Sequence, residues 1–137
     1  MQEKCYSREI YYYETDQMGI VHHSNYIRWL EEARLDIMKQ AGISYSQMEE
    51  AGILIPVLEV SVSYKTAFRY GDRFFITLKP SSYNGIRMRI EYELRKEPDG
   101  EVCATGTSGH CFCRKDLRPL SLKKEYPDIS EKFESLL

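Results

Sequence analysis

Residues 11–34 read YYYETDQMGIVHHSNYIRWLEEAR: an extended aromatic run, a turn from Asp16 to Gly19, and an amphipathic helix opening near Ser24. From Ser24 onward, Ile27, Leu30, Ala33, Ile37, Met38 and Ala41 recur at three- and four-residue spacing, which predicts a helix of about five turns. Gly42 is its natural C-terminal stop. A carboxylate just upstream of such a helix is a chemical arrangement. The helix start offers backbone N–H groups without intrahelical partners and a partial positive charge. An oxygen gaining negative charge can rest on those groups while Asp16 acts on the atom beside it. Aspartate is also a common turn cap, and the residues alone leave both roles open.

Working outward, residues 6–12 alternate loosely and suit a first strand. Ser44 with Gln47 forms a capping-box pattern for a short second helix, which Gly52 ends. Leu58, Val60, Val62 and Tyr64 alternate with polar neighbours over residues 58–65, the pattern of a half-buried strand. Residues 72–79 form the next strand, and Asn84-Gly85 is a two-residue hairpin signal leading into residues 87–95. There Met88, Ile90, Tyr92 and Leu94 alternate with charged residues. Pro98-Asp99-Gly100 turns the chain into a last strand over residues 101–114, and a short helix follows Asp128. One strand, one long helix and four strands in antiparallel order make an α+β domain over residues 1–137. A single long helix needs a sheet curved around it to bury its apolar stripe.

Composition narrows the function classes. The chain has 137 residues, 42% hydrophobic and 29% charged, which fits one globular domain with a real core. No apolar run approaches the roughly 20 residues needed to span a bilayer. The N-terminus has no apolar leader segment, so the cytoplasm is the expected compartment. A net charge of −2 argues against a global basic field for nucleic acid. Cys5, Cys103, Cys111 and Cys113 include no CxxC pair and show no zinc-ligand spacing, so buried free thiols are expected.

The string from Asp16 through Gly19, Ile20 and Val21 to Asn25 and Tyr26 resembles the signature of hotdog-fold acyl-CoA thioesterases, in the 4-hydroxybenzoyl-CoA thioesterase branch. Trp29 to Arg34 resembles that family's aromatic-acidic helix continuation, and residues 64–72 its strand ending in a Gly-Asp turn. The likeness covers about residues 5–122. It implies an antiparallel five-stranded sheet wrapped around the long helix, acyl-CoA as substrate, and a homodimer or homotetramer. It implies no cofactor, since coenzyme A is part of the substrate. An acyl-carrier-protein thioesterase and a non-catalytic acyl-CoA binding protein of the same fold are the alternatives.

The resemblance also assigns roles. Asp16 is the catalytic base or nucleophile, and the His23 amide at the helix start polarises the acyl oxygen. The His23 side chain either assists or merely packs. Gly19 allows a close approach or a positive φ, and Tyr26 packs or lines the acyl pocket. Glu31 either shapes or polarises that pocket or is a solvated or ion-paired helix residue, whereas Glu32 is expected at the surface. Thr66, just past its strand, faces the thioester. Lys65, Arg69, Arg87 and Arg89 are candidates for the coenzyme A phosphates. Arg87 and Arg89 lie on one strand face, about 7 Å apart, as a clamp or as a solvent-facing stripe paired with Glu91 and Glu93.

Overall fold

The structure, a computed structural model, describes residues 4–137. Strand β1 (Cys5–Glu9) leads through a single 3-10 turn (Tyr12–Glu14) to helix α1 (Ser24–Gln40) and the short α2 (Tyr45–Glu50). Four strands follow: β2 (Val57–Tyr64), β3 (Arg73–Tyr83), β4 (Arg87–Lys96) and β5 (Glu101–Cys111). Helices α3 (Leu122–Glu125) and α4 (Pro127–Glu134) close the chain. All strand pairs are antiparallel in the order β1-β3-β4-β5-β2. The inner face of the sheet buries Phe74, Ile76, Met88, Ile90, Tyr92 and Leu94 with Tyr26, Trp29, Leu30, Ala33 and Ile37 of α1. This is the expected α+β hotdog architecture, with one helix held in a curved sheet.

Several boundaries move, each for a physical reason. The first strand stops at Glu9, and the chain coils at Tyr12–Glu14 because the Glu14 side chain turns inward and accepts the Tyr11 amide at 2.8 Å. Ile27 is 50% exposed, since Tyr26 and Trp29 carry the inward face of α1 and leave it one step around the helix. β2 is an edge strand paired only with β5, so Leu58 and Tyr64 are 52% and 54% exposed where half burial was expected. β3 runs on to Tyr83 through a register shift at Pro80/Ser82, where proline offers no amide to the ladder. The link into β4 holds three residues, and Asn84 Oδ1 accepts the Ile86 and Arg87 amides at 2.9 and 2.7 Å. β5 ends at Cys111, and Cys113 instead bridges Leu54 and Pro119.

One polar chain crosses the apolar inner face. Arg34 Nη1 donates to the Tyr92 hydroxyl at 3.1 Å, which lies 2.5 Å from Ser108 Oγ. Ser108 Oγ is in turn 2.7 Å from His110 Nε2. Arginine can only donate, so the Tyr92 oxygen accepts from Arg34, and either partner can be the donor in the two bonds beyond it. His110 Nδ1 is buried without a hydrogen-bond partner among the described residues. Burial, and then the Arg34 charge, lower the His110 pKa from 6.5 to about 4, against a small opposing pull from the Pro56 carbonyl. Between pH 4 and 6.5 the unfolded chain binds a proton that the folded chain refuses. Stability therefore rises with pH across that window, and this contribution is complete above it. Urea titrations at a series of pH values should show a shallower rise for His110→Gln than for wild type; equal slopes would mean that His110 is charged in the fold.

Candidate active site

The turn at residues 16–19 is closed by its own backbone. The Gly19 amide donates to the Asp16 carbonyl at 3.0 Å, and the Asp16 amide to the Ile20 carbonyl at 2.9 Å. Asp16 Oδ1 accepts the Met18 amide at 2.8 Å, which fixes the carboxylate, and Oδ2 has no partner among the described residues. Gly19 sits at φ +77° with open space where a Cβ would lie, so backbone conformation, not close approach, demands glycine here. The loop is pinned on both sides. Ile20 bridges Arg69, the Val21 amide donates to the Phe68 carbonyl at 2.9 Å, and the His22 amide donates to the Glu14 carbonyl at 2.9 Å.

Helix α1 starts from this held loop. His22 Nδ1 accepts the Ser24 amide at 3.2 Å, so His22 acts as the cap. His23 already has helical angles, φ −57° and ψ −28°, and its amide meets no acceptor among the described residues. The two imidazole rings stack at 4.2 Å and are exposed. A half-buried carboxylate and an unused N–H at the positive end of a helix thus belong to one rigid loop. Such a pair can attack, or activate water against, a carbonyl carbon while holding its oxygen.

Lys65, Thr66 and Arg69 lie at the same end of the sheet. The Lys65 and Thr66 amides donate to the Cys103 carbonyl at 2.9 and 3.0 Å, and Arg69 is the bridge partner of Ile20. Thr66 Oγ1 is engaged by Glu101 at 3.1 Å, while the Lys65 and Arg69 side chains are exposed. Arg87 and Arg89 are elsewhere. Lys96 marks the near end of β4, with Nζ 3.3 Å from Asp72. Arg89 and Arg87 precede it by roughly 23 and 30 Å at a strand rise of about 3.3 Å per residue. Within one chain the expected clamp does not face Asp16. Arg89 is ion-paired, with Glu59 in place of the expected Glu91 or Glu93. Gly109, the β5 residue between them, has no side chain to block the reach.

Tyr26 is a core residue in the chain, edge-on to Tyr64 at 4.8 Å and tilted on Trp29 at 4.9 Å. Burial pushes its hydroxyl pKa up to about 12, so it stays protonated. Glu31 is exposed at the mouth of a cavity of about 150 Å³ between the second half of α1 and strands β3 to β5. Ile37, Met38, Leu78, Ile90 and Phe133 wall it, and Arg34 and His110 supply its polar atoms.

The charge behind the turn is invisible to local pattern. Arg8 and Glu14 are only 9% and 4% exposed. Arg8 Nη2 donates to both Glu14 oxygens at 2.7 and 2.8 Å, and Nη1 to both Glu32 oxygens at 2.9 Å. Glu32 is therefore not a free surface residue. It also accepts the Tyr6 hydroxyl at 2.8 Å, and burial together with that carboxylate pushes the Tyr6 pKa up to about 12. Trp29 Nε1 donates to Glu14 Oε2 at 2.9 Å.

Comparison with known proteins establishes the family and the fold. The sequence profile of the thioesterase-like superfamily matches residues 12–135. The Bacillus subtilis (strain 168) protein YneP, provisionally named an acyl-CoA thioesterase, is 37% identical over 127 residues, covering 92% of this chain and 91% of its own. A 1,4-dihydroxy-2-naphthoyl-CoA hydrolase of Thermosynechococcus vestitus is 27% identical over 108 residues, covering 78% of this chain and 74% of its own. A solved DHNA-CoA thioesterase from Staphylococcus aureus superposes with a TM-score of 0.89 at 33% identity, covering 96% of this chain and 88% of its own. These relatives do not single out the 4-hydroxybenzoyl-CoA branch, so the assignment rests one level higher. The chain belongs to the thioesterase-like superfamily and has its hotdog fold.

Proposed function

We propose that this protein is an acyl-CoA thioesterase that acts in the cytoplasm as a homodimer or a pair of dimers, with residues 1–137 as one catalytic domain. The observation that carries the reading is the Asp16 carboxylate, fixed through Oδ1, on the same pinned loop as the unused His23 amide. Asp16 either takes a proton from water, whose oxygen adds to the acyl carbon, or adds to that carbon itself. The acyl oxygen gains negative charge and rests on the His23 N–H at the helix dipole's positive end. In the first route collapse breaks the C–S bond, the departing thiolate of coenzyme A takes the proton from Asp16, and a carboxylic acid remains. In the second, collapse expels the thiolate and leaves a mixed anhydride on Asp16, which water hydrolyses to the carboxylic acid, freeing Asp16 and giving the thiolate its proton. Neither route moves electrons, so the chemistry needs no redox cofactor, and Asp16 with the His23 N–H takes the parts of base or nucleophile and of polariser that a Lewis-acid metal fills elsewhere.

The oligomer supplies what one chain keeps apart. Val57 of β2 sits opposite His110, beside the Arg87 end of the sheet, and Tyr64 sits opposite Ala104, beside the Asp16 end. Antiparallel pairing of two β2 edges around a two-fold axis brings the Arg87 end of one chain next to the Lys65 end of the other. Lys65 and Arg69 from one protomer can then share the coenzyme A phosphates with Arg87 and Arg89 from its partner. Glu31 lies at the cavity mouth about 10 Å along α1 from Ser24, at 1.5 Å per residue, where an acyl group leaving the thioester carbon would run.

Two measurements test this. Asp16→Asn keeps shape but removes charge and basicity, so hydrolysis should fall by at least about 10²-fold with KM little changed. An equivalent loss confined to a turn cap would touch stability by about 1 kcal/mol and leave turnover intact. A folded Asp16→Asn protein hydrolysing arylacyl- and alkanoyl-CoA panels at the wild-type rate would sink the mechanism. Light scattering at micromolar concentration should report a dimer or larger; a stable monomer with full activity would overturn the shared site.

A further inference from the structure

The Arg8–Glu14 pair is too elaborate for a tie between one strand and one helix. All three guanidinium nitrogens are engaged: Nη1 and Nη2 each face one carboxylate at 2.7–2.9 Å, and Nε donates to the Glu9 carbonyl at 3.1 Å. The Glu14 carboxylate also accepts the Tyr11 amide and the Trp29 indole, at 2.8 and 2.9 Å. A side chain so fully bonded allows its backbone a single placement. The carbonyl of that same residue accepts the His22 amide at 2.9 Å and Asn25 Nδ2 at 3.0 Å. Asn25 Nδ2 also reaches the His22 carbonyl at 3.2 Å. Glu14 therefore holds the residue before His23 and the start of α1, and it lies two residues before Asp16.

We propose that Glu14, gripped by Arg8, is a positioning residue for the hydrolysis, setting the separation between the Asp16 carboxylate and the His23 amide. This rests on the thioesterase reading. Neither Glu14 nor Arg8 touches substrate, because both are buried behind the turn. Glu32 anchors Arg8 from α1, so the loop is referenced to the helix whose first N–H group receives the oxyanion. A surface ion pair would leave that separation loose. A buried guanidinium forked between two carboxylates has one geometry. Active-site groups need such support, since catalysis demands placement within about 0.5 Å.

The test combines steady-state kinetics on an acyl-CoA with amide exchange of His22 in the folded protein. Glu14→Gln keeps the shape and removes the charge that Arg8 grips. Asn25→Ala leaves every buried charge in place and removes one partner of the Glu14 carbonyl, so it decides the matter if Glu14→Gln does not fold. Both should lower kcat at least about 10-fold, within the loss that a 1 Å misplacement brings, with KM within about twofold. His22 exchange should quicken, and the acidic limb of the kcat/KM profile should stay in place because Asp16 remains the acting carboxylate. Arg8→Lys, which keeps the charge without the fork, should fall between wild type and Glu14→Gln. Folded variants with wild-type kcat, or with unchanged His22 exchange, would overturn the proposal. Failure of the thioesterase reading looks different: wild-type protein and Asp16→Asn would be equally inert on every acyl-CoA, and His22 exchange would still decide whether Glu14 orders the turn.

Discussion

A guanidinium taken out of water must recover its lost hydration from fixed partners, and Arg8 is the place where this fold meets that demand. The effective penalty for burying an ion is several kcal/mol. Here two carboxylates, one carbonyl and the faces of Tyr11 and Trp29, 4.7 and 5.4 Å from the guanidinium carbon, stand in for water. One cation faces two anions, and the Tyr6 hydroxyl offsets part of the excess negative charge on Glu32. Those partners come from β1, the 3-10 turn and α1. The constraint explains the local backbone: β1 has to end early and the chain has to coil at Tyr12–Glu14, or Glu14 cannot reach inward.

The two ends of α1 are built differently as a consequence. At its start, Tyr26, Trp29, Phe68 and Phe74 form a continuous aromatic cluster with ring centroids 4.6 to 6.1 Å apart. Rings packed this densely resist displacement, so the Asp16 loop rests on a rigid floor. Along its second half, the helix and the sheet separate enough to leave a cavity of about 150 Å³. A thioesterase needs both conditions on one helix. Reacting atoms must be held to a fraction of an ångström, and the acyl group beyond them needs unfilled, mostly apolar volume.

What the amino-acid sequence reveals follows from the range of the interactions. The helix over residues 24–40, its glycine stop and the Asp16–Gly19 turn are local, and their periodicity and turn chemistry can be read directly. The superfamily signature lies in that same short stretch. Arg8, Glu14 and Glu32 are each an unremarkable charge in the sequence, separated by 6 and 24 positions from their partners. Their meeting depends on how β1 crosses α1, which no local pattern encodes. One signal was present: Glu14 is an acidic residue directly after an aromatic run, which is costly to bury unless a cation waits there. The role of Gly109 is equally remote, since it matters only once Arg89 and Glu59 are known to lie on either side of it.

The most instructive departures lie on one side of the molecule. Ile27 belongs to the apolar period of α1 yet is half exposed, and Leu35, two turns on along the same stripe, is 42% exposed. Leu58 and Tyr64 keep the alternation of a half-buried strand, yet both stand open on β2. Leu35 and Val57 both line the cavity, so the helix stripe and the edge strand each contribute an exposed apolar residue to it. A bare edge strand with such exposure invites pairing. In the proposed β2-to-β2 pairing those positions would become interior, and the alternation would describe burial in the oligomer instead of in the protomer. The same proposed pairing would bring the far-end arginines beside the near-end lysine. The proposed second copy of the chain would thus answer two features at once: the apolar exposure along β2 and the distance between the basic residues at the two ends of the sheet.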